Sequence, residues 1–154
     1  MRIIHGPNAR LSASAVRLAN GATVIDDSYN ANPTATRRAL EVLAAGRGTR
    51  RIAVLGEMLE LGDRAHALHQ EVGRAAAQAE LDVLLTVGGA PAAALAASAV
   101  AAGLARDRVR HFATSDEAAA ATVALVGPGD LVLVKGSRGV QTDRVVERLK
   151  AELA

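Results

Sequence analysis

Ala22-Thr23-Val24-Ile25-Asp26-Asp27-Ser28-Tyr29-Asn30-Ala31-Asn32-Pro33 reads as a strand that ends in a polar turn and passes straight into a helix. Asn32 is suited to cap that helix, and Pro33 fits its first position, where no backbone N–H is needed. Carboxylates, amides, a hydroxyl and a phenol therefore crowd the carboxy end of one strand. In open α/β sheets this is where ligands bind. A plain strand-to-helix turn needs only a cap and a glycine.

A second stretch has the same design. Leu131-Val132-Leu133-Val134 is a short continuous apolar run, as expected of a parallel strand covered on both faces. It delivers Lys135-Gly136-Ser137-Arg138-Gly139, after which Thr142 is placed to cap a closing helix. Two cations, a hydroxyl and two glycines at a strand end suit an anion, since glycine lets backbone approach a ligand closely. The Gly-x-x-x-x-Gly-Lys-Ser/Thr spacing of a phosphate loop is absent.

The rest of the chain alternates in the same way. Residues 16–18 and 23–25 flank a hairpin-like turn at Ala19-Asn20-Gly21. Helices are expected near 33–45, 63–79, 91–103 and 114–126, with a last one after Thr142. Further strands are expected near 51–56, 82–87 and 109–112. In the second helix, Ala65, Leu68, Val72, Ala75 and Ala79 lie on one face. Thr114 and Glu117 form a capping box for the fourth. Strand–helix alternation of this kind specifies an α/β, Rossmann-like three-layer sandwich, a mainly parallel sheet with helices on both faces. Residues 1–14 show no period and read as a linker or a remnant of an upstream region. Residues 15–154 form the domain.

Composition excludes several functions. The chain has 154 residues, half of them apolar, enough for one domain with a core built of Ala, Val and Leu. It has no cysteine, so neither a disulfide framework nor a thiolate site is available. Net charge is only +2, the arginines are interleaved with acids, and Tyr29 and Phe112 are the only aromatics. No nucleic-acid partner is expected from such a surface. No apolar run is long enough for a membrane span, and the amino terminus does not read as a signal peptide, so a cytoplasmic location is expected. His66 and His69 stand three apart on one helix near Glu57, Glu60 and Asp63. No third ligand has convincing spacing, so no metal site is expected and the pair reads as surface or partly buried. His5 and His111 carry no context.

Three stretches together resemble the carboxy-terminal domain of the Mur ligases. They are Asp26–Pro33, Ile52-Ala53-Val54-Leu55-Gly56-Glu57-Met58-Leu59-Glu60-Leu61-Gly62, and Val134–Gly139. The likeness is closest to members that join D-alanyl-D-alanine to UDP-N-acetylmuramoyl-tripeptide, and it spans residue 22 to about 150. It implies a cytoplasmic ATP-dependent ligase of peptidoglycan synthesis, in which a carboxylate is activated as an acyl phosphate and then attacked by the dipeptide amine. It also implies ATP and Mg held mainly by two further domains, so that this chain alone is not expected to turn over.

The resemblance assigns nucleotide contacts to Asp27, Tyr29 and Asn30, with Asp27 on the ribose. It assigns substrate contacts to Asn32, Lys135, Ser137 and Arg138, the two cations facing a carboxylate or phosphate. Each has a plainer reading. Asp26 or Asp27 caps a turn, Asn32 caps a helix, and Lys135 and Arg138 lie in a solvated loop with an ion pair. Glu57 and Glu60 divide evenly between cleft and helix entry. A stand-alone Rossmann-like module that binds a nucleotide or anion without catalysis is the rival reading. The run Asp-Ser-Tyr-Asn-Ala-Asn-Pro argues against a folylpolyglutamate-synthase-like domain.

Overall fold

The computed structural model describes residues 14–153. The strands are β1 (Ser14–Arg17), β2 (Thr23–Asp27), β3 (Arg51–Gly56), β4 (Val83–Val87), β5 (Val109–Phe112) and β6 (Leu131–Lys135). The helices are α1 (Pro33–Ala45), α2 (Ala65–Gln78), α3 (Ala90–Ala101), α4 (Ser115–Leu125) and α5 (Asp143–Leu153). The reading of residues 1–14 as a linker lies outside the described residues except for Ser14, which opens β1.

Helix starts follow local chemistry. Asn32 has an extended backbone, and its side chain accepts the Ala35 N–H at 2.8 Å, with Pro33 next in line. Thr114 accepts the Glu117 N–H in the same manner. Thr142 departs from expectation: its hydroxyl is buried and has no hydrogen-bond partner among the described residues, and only its carbonyl serves the helix, accepting the Val145 N–H at 3.0 Å.

The sheet order is β1-β2-β6-β3-β4-β5. β1 runs antiparallel to β2, and every other pairing is parallel. Period-two alternation along the central strands feeds two cores. Ile25, Ala53, Leu55, Leu84, Leu131 and Leu133 face α1, α2 and α3. Val24, Ile52, Val54, Leu85, Val132 and Val134 face α4 and α5. The continuous apolar runs are thus strands covered on both sides, giving three layers.

A buried carboxylate fixes the floor, the end of the sheet where the strands begin. Asp130, only 2% exposed, receives Arg50 Nε at 3.1 Å, Arg50 Nη2 at 2.7 Å and the Gly127 N–H at 2.8 Å. Arg50 Nη2 also donates to the Leu125 carbonyl. This fork ties the entries of β3 and β6 to the end of α4. Arg50→Ala would strand most of that charge. It should cost about 2–4 kcal/mol in a urea melt, and Arg50→Lys should recover only part because it loses the fork.

The face of α2 differs from the expected one. His69, Val72, Gly73 and Ala76 are its buried residues, whereas Leu68 and Ala75 are only half-buried. Two contacts rotate the helix. A Cβ on Gly73 would collide with α3 at Leu95 and Ser98, so glycine there lets the helices close up. His69 is taken inside by two hydrogen bonds, Nε2 accepting the Met58 N–H at 2.9 Å and Nδ1 donating to the Ala65 carbonyl at 2.7 Å. Both nitrogens are thereby used in a neutral ring, which leaves none for a metal. His66, its presumed partner, is exposed.

Burial holds the His69 imidazole below its ordinary value of 6.5, against the opposing pull of the Ala65 carbonyl and the Glu57 carboxylate. The sign follows. Above 6.5 the ring is neutral in folded and unfolded chains alike, and its contribution to stability is intact. As the pH falls below that value, the unfolded chain takes up a proton first and stability is lost until the folded ring titrates too. The melting temperature should therefore drop as the pH falls below about 6.5, and the drop should shrink in His69→Gln. An equal drop in that variant would assign the titration to another group.

Candidate functional site

The carboxy ends of β2, β6, β3 and β4 lie side by side, so the three sequence stretches meet on one edge. Register alone brings two of them together: Asp27 is the ladder partner of Lys135 across β2 and β6. Residues 26–33 and 135–139 share that edge as the sequence predicts.

Lys135 and Asp27 are committed to each other. Nζ lies 2.7 Å from Asp27 Oδ2, and the side chains are 4% and 6% exposed. Lys135 also donates to the Asn30 carbonyl at 3.0 Å. The cation placed by sequence against a ligand anion is thus neutralised within the fold. It anchors residues 27–30, and Asn30 joins through its backbone while its side chain is exposed. Asp27 Oδ1 carries no protein hydrogen bond among the described residues.

The two adjacent aspartates part company across the sheet. Asp27 follows Ile25 on the side of α1, and Asp26 follows Val24 on the side of α5. Asp26 Oδ1 accepts the Ser28 N–H at 3.2 Å and the Ser28 hydroxyl at 2.6 Å, the turn-capping role that its sequence allows.

Ser137 locks the second signature to the third. Its buried hydroxyl accepts the Leu59 N–H at 2.9 Å and lies 3.5 Å from the Ala31 carbonyl. Glu57 faces inward along the edge: Oε1 accepts the Gly89 N–H at 2.8 Å, tying β3 to the start of α3. Glu60 is exposed, with a positive φ of 63°. Beneath the loops, Gly56 and Gly136 approach so closely that a Cβ on either would lie 3.1 Å from the other's Cα. Thr142 packs onto both, and its hydroxyl is turned in against Gly136, which is why it does not cap α5.

Tyr29 and Arg138 stand outside this framework. Tyr29 is 73% exposed, and Leu59 at 40% is the other large exposed apolar side chain among the described residues. Arg138 is exposed and borders a cavity of about 400 Å³ between residues 26–29, residues 138–141 and α5. A second cavity of about 480 Å³ opens between residues 88–89, residues 113–116 and residues 139–141. Sequence reasoning assigned no ligand role to α5. The signal present was the spacing of Asp143, Glu147 and Lys150, at i, i+4 and i+7 on one stripe.

Comparison with known proteins agrees with this fold. The family described as "Mur ligase, glutamate ligase domain" matches residues 11–138. The UDP-N-acetylmuramoyl-tripeptide--D-alanyl-D-alanine ligase of Mycobacterium tuberculosis H37Rv is 39% identical over 150 residues, covering 86% of this chain and 29% of that ligase. Crystal structure II of MurF from Acinetobacter baumannii superposes with a TM-score of 0.78 at 31% identity, over 96% of this chain and 31% of that one. MurF ligase from Thermotoga maritima in complex with ADP gives a TM-score of 0.72 at 28% identity, over 90% of this chain and 30% of that one. The chain spans less than a third of the length of each. With the family match extending over most of its residues, this chain belongs to the Mur ligases and is their carboxy-terminal, glutamate ligase domain.

Proposed function

We propose that this domain serves a ligase that joins D-alanyl-D-alanine to UDP-N-acetylmuramoyl-tripeptide, closing over a nucleotide held mainly by other domains. The observation that supports it most is the interlocking of three loops on one sheet edge, through Lys135–Asp27, Ser137–Leu59 and His69–Met58. The relatives named as D-alanyl-D-alanine ligases supply the reaction.

The chain's residues divide into two roles. Asp27, Lys135, Ser137 and Asn32 set the shape of the edge, because each side chain is held by protein partners. Tyr29, Asn30 and Arg138 meet ligands directly, as does the second oxygen of Asp27, which Lys135 does not take. Asp27 Oδ1 fits a ribose hydroxyl, and the exposed Tyr29 ring and Asn30 amide fit the nucleotide beside it. Nothing in the chain matches a phosphate loop, so the β- and γ-phosphates and Mg belong to the rest of the ligase. ATP, when bound, supplies the phosphoryl group that activates the carboxylate. The domain's part is to position the incoming amine and exclude water.

A chimera tests this reading. The carboxy-terminal domain of the Mycobacterium tuberculosis relative is replaced by this chain, and phosphate release is followed with and without D-alanyl-D-alanine. Dipeptide-dependent release is expected from the chimera and none from the 154-residue chain alone. A folded chimera without activity would favour the stand-alone binding module. Turnover by the isolated chain would overturn the division of roles between domains.

The ion pair gives a second test. Lys135→Ala leaves the Asp27 carboxylate buried and alone, and should cost about 3–5 kcal/mol in a urea melt. The double variant Lys135→Met with Asp27→Leu should regain most of that, since an apolar pair of similar volume is close to neutral. It should still release residues 28–32, seen as faster amide exchange at Ala31 and Asn32. A single-variant cost below about 1 kcal/mol would show that the pair does not hold the loop.

A further inference from the structure

The sheet edge farthest from β1 is β5, a short strand about 13 Å long that pairs on one side only, with β4. Its Phe112 carbonyl turns inward and accepts the Gly88 N–H at 2.9 Å. Backbone groups of neighbouring residues in a strand point to opposite sides, so the N–H and C=O of His111 turn out to the open edge.

Charge changes abruptly here. From Val83 to Ala105 the chain carries no charged residue, and the next positions hold Arg106, Asp107, Arg108, Arg110 and His111. The three arginines are exposed and have no ion partner among the described residues. Between α3 and β5 lies a groove of about 280 Å³, lined by Ala96, Ala97, Val100 and Val109 together with Arg106 and His111. Val109 and His111 share the face of β5 on the α3 side. Arg110 and Phe112 share the other face, where the guanidinium covers the ring at 4.9 Å.

We propose that β5 and this groove receive a partner protein through an extended acidic segment, which adds to the sheet as a further strand. Alternate side chains of that segment are apolar and lie over Ala97 and Val100. The others are Asp or Glu and meet Arg110 on the opposite face, with Arg106 and Arg108 beside the segment's end. Charge selects this occupant. A second copy of the chain would set three arginines against three, so the edge repels its own kind. A nucleic acid would answer the charge but leave the apolar groove unfilled, and the Phe112 ring that could stack a base is already covered. Protection against aggregation accounts for charge on an edge strand, not for an uncharged groove beside it. β3 and β4 stand between this edge and the Lys135–Asp27 anchor, so the surface is separate from the ligand edge.

The probe is a blocked octapeptide that alternates Val and Glu, titrated into the ¹⁵N-labelled 154-residue chain. Saturable shifts are expected at the amides of residues 97–100 and 106–112. A Val/Lys peptide of the same pattern should not bind, and a scrambled Val/Glu peptide of equal charge should bind at least about threefold more weakly. Arg106→Gln with Arg110→Gln should weaken the alternating peptide about three- to tenfold, and amide dispersion checks that this exposed pair of changes leaves the fold intact. N-methylation of the peptide separates strand addition from charge attraction without altering the protein. Methyl groups on one alternate set of residues should abolish binding, and on the other set should spare it, because only one set turns its N–H to β5.

Equal binding of the scrambled peptide, or an equal effect of the two methylated peptides, would overturn strand addition. No saturation up to about 2 mM, or shifts confined to β1 or to residues 26–33 and 135–139, would overturn the site. Oligothymidylate that displaces the peptide and binds more tightly at the same amides would replace the acidic protein segment with a nucleic acid.

Discussion

Burying Lys135 against Asp27 is the constraint from which the rest of the ligand edge takes its form. Taking two charges out of water costs several kcal/mol each, and only close pairing with further hydrogen bonds offsets it. Here the pair closes at 2.7 Å and the Asn30 carbonyl takes a second ammonium proton. That solution exists in one strand register only. Ile25 and Asp27 share a face of β2, as Leu131, Leu133 and Lys135 share a face of β6. A one-residue slip of either strand would turn a charge into the opposite core, among Val24, Val132 and Val134. The pair thus specifies register and loop shape together, which a pair of apolar residues would do less sharply.

Above that anchor, the edge is rigid where it touches protein and open where it faces outward. Ser137 receives Leu59, His69 receives Met58, and Glu57 receives Gly89. Each bond uses a side chain to satisfy a backbone N–H in a loop with no ladder partner, and at Met58 that N–H belongs to a buried residue. The Gly56–Gly136 contact is the steric counterpart, since β3 and β6 could not draw together at their ends around a Cβ. What is left exposed, Tyr29, Leu59 and Arg138, is chemically unlike an ordinary solvated rim. An apolar pair and a guanidinium with no ion partner among the described residues, beside a fixed framework, suit surfaces that meet something else.

Sequence made much of this legible, for reasons that differ by element. The six strands and five helices follow from apolar runs, alternation and caps, which are local properties of the chain. Asn32 and Thr114 cap as read because capping involves residues three apart. The fate of Lys135 was not legible, since its partner lies 108 residues away and becomes a neighbour only after the sheet is ordered. His69 was misplaced for a related reason. An imidazole looks alike on paper whether solvated or buried, and the Met58 N–H that draws it inside belongs to another element. The face of α2 then moved with it.

Thr142 shows how the parts compete. Its position invites a cap for α5, yet the hydroxyl is spent on filling space over Gly56 and Gly136 and goes unpaired. An unpaired buried hydroxyl costs about 1–3 kcal/mol. The arrangement persists because moving Thr142 outward would uncover the junction of β3 and β6 and displace the segment carrying Arg138. Gln141, immediately before it, takes the left-handed backbone at φ 63° that reverses the chain there. A non-glycine residue in that conformation is a further small strain of the same origin. Both expenses fall within four residues of Arg138 and Asp143, which border the cavity at the end of β6. Local stability has been given up at the place where the chain must bend around a ligand-sized space, while the register that positions it is held by the buried pair below.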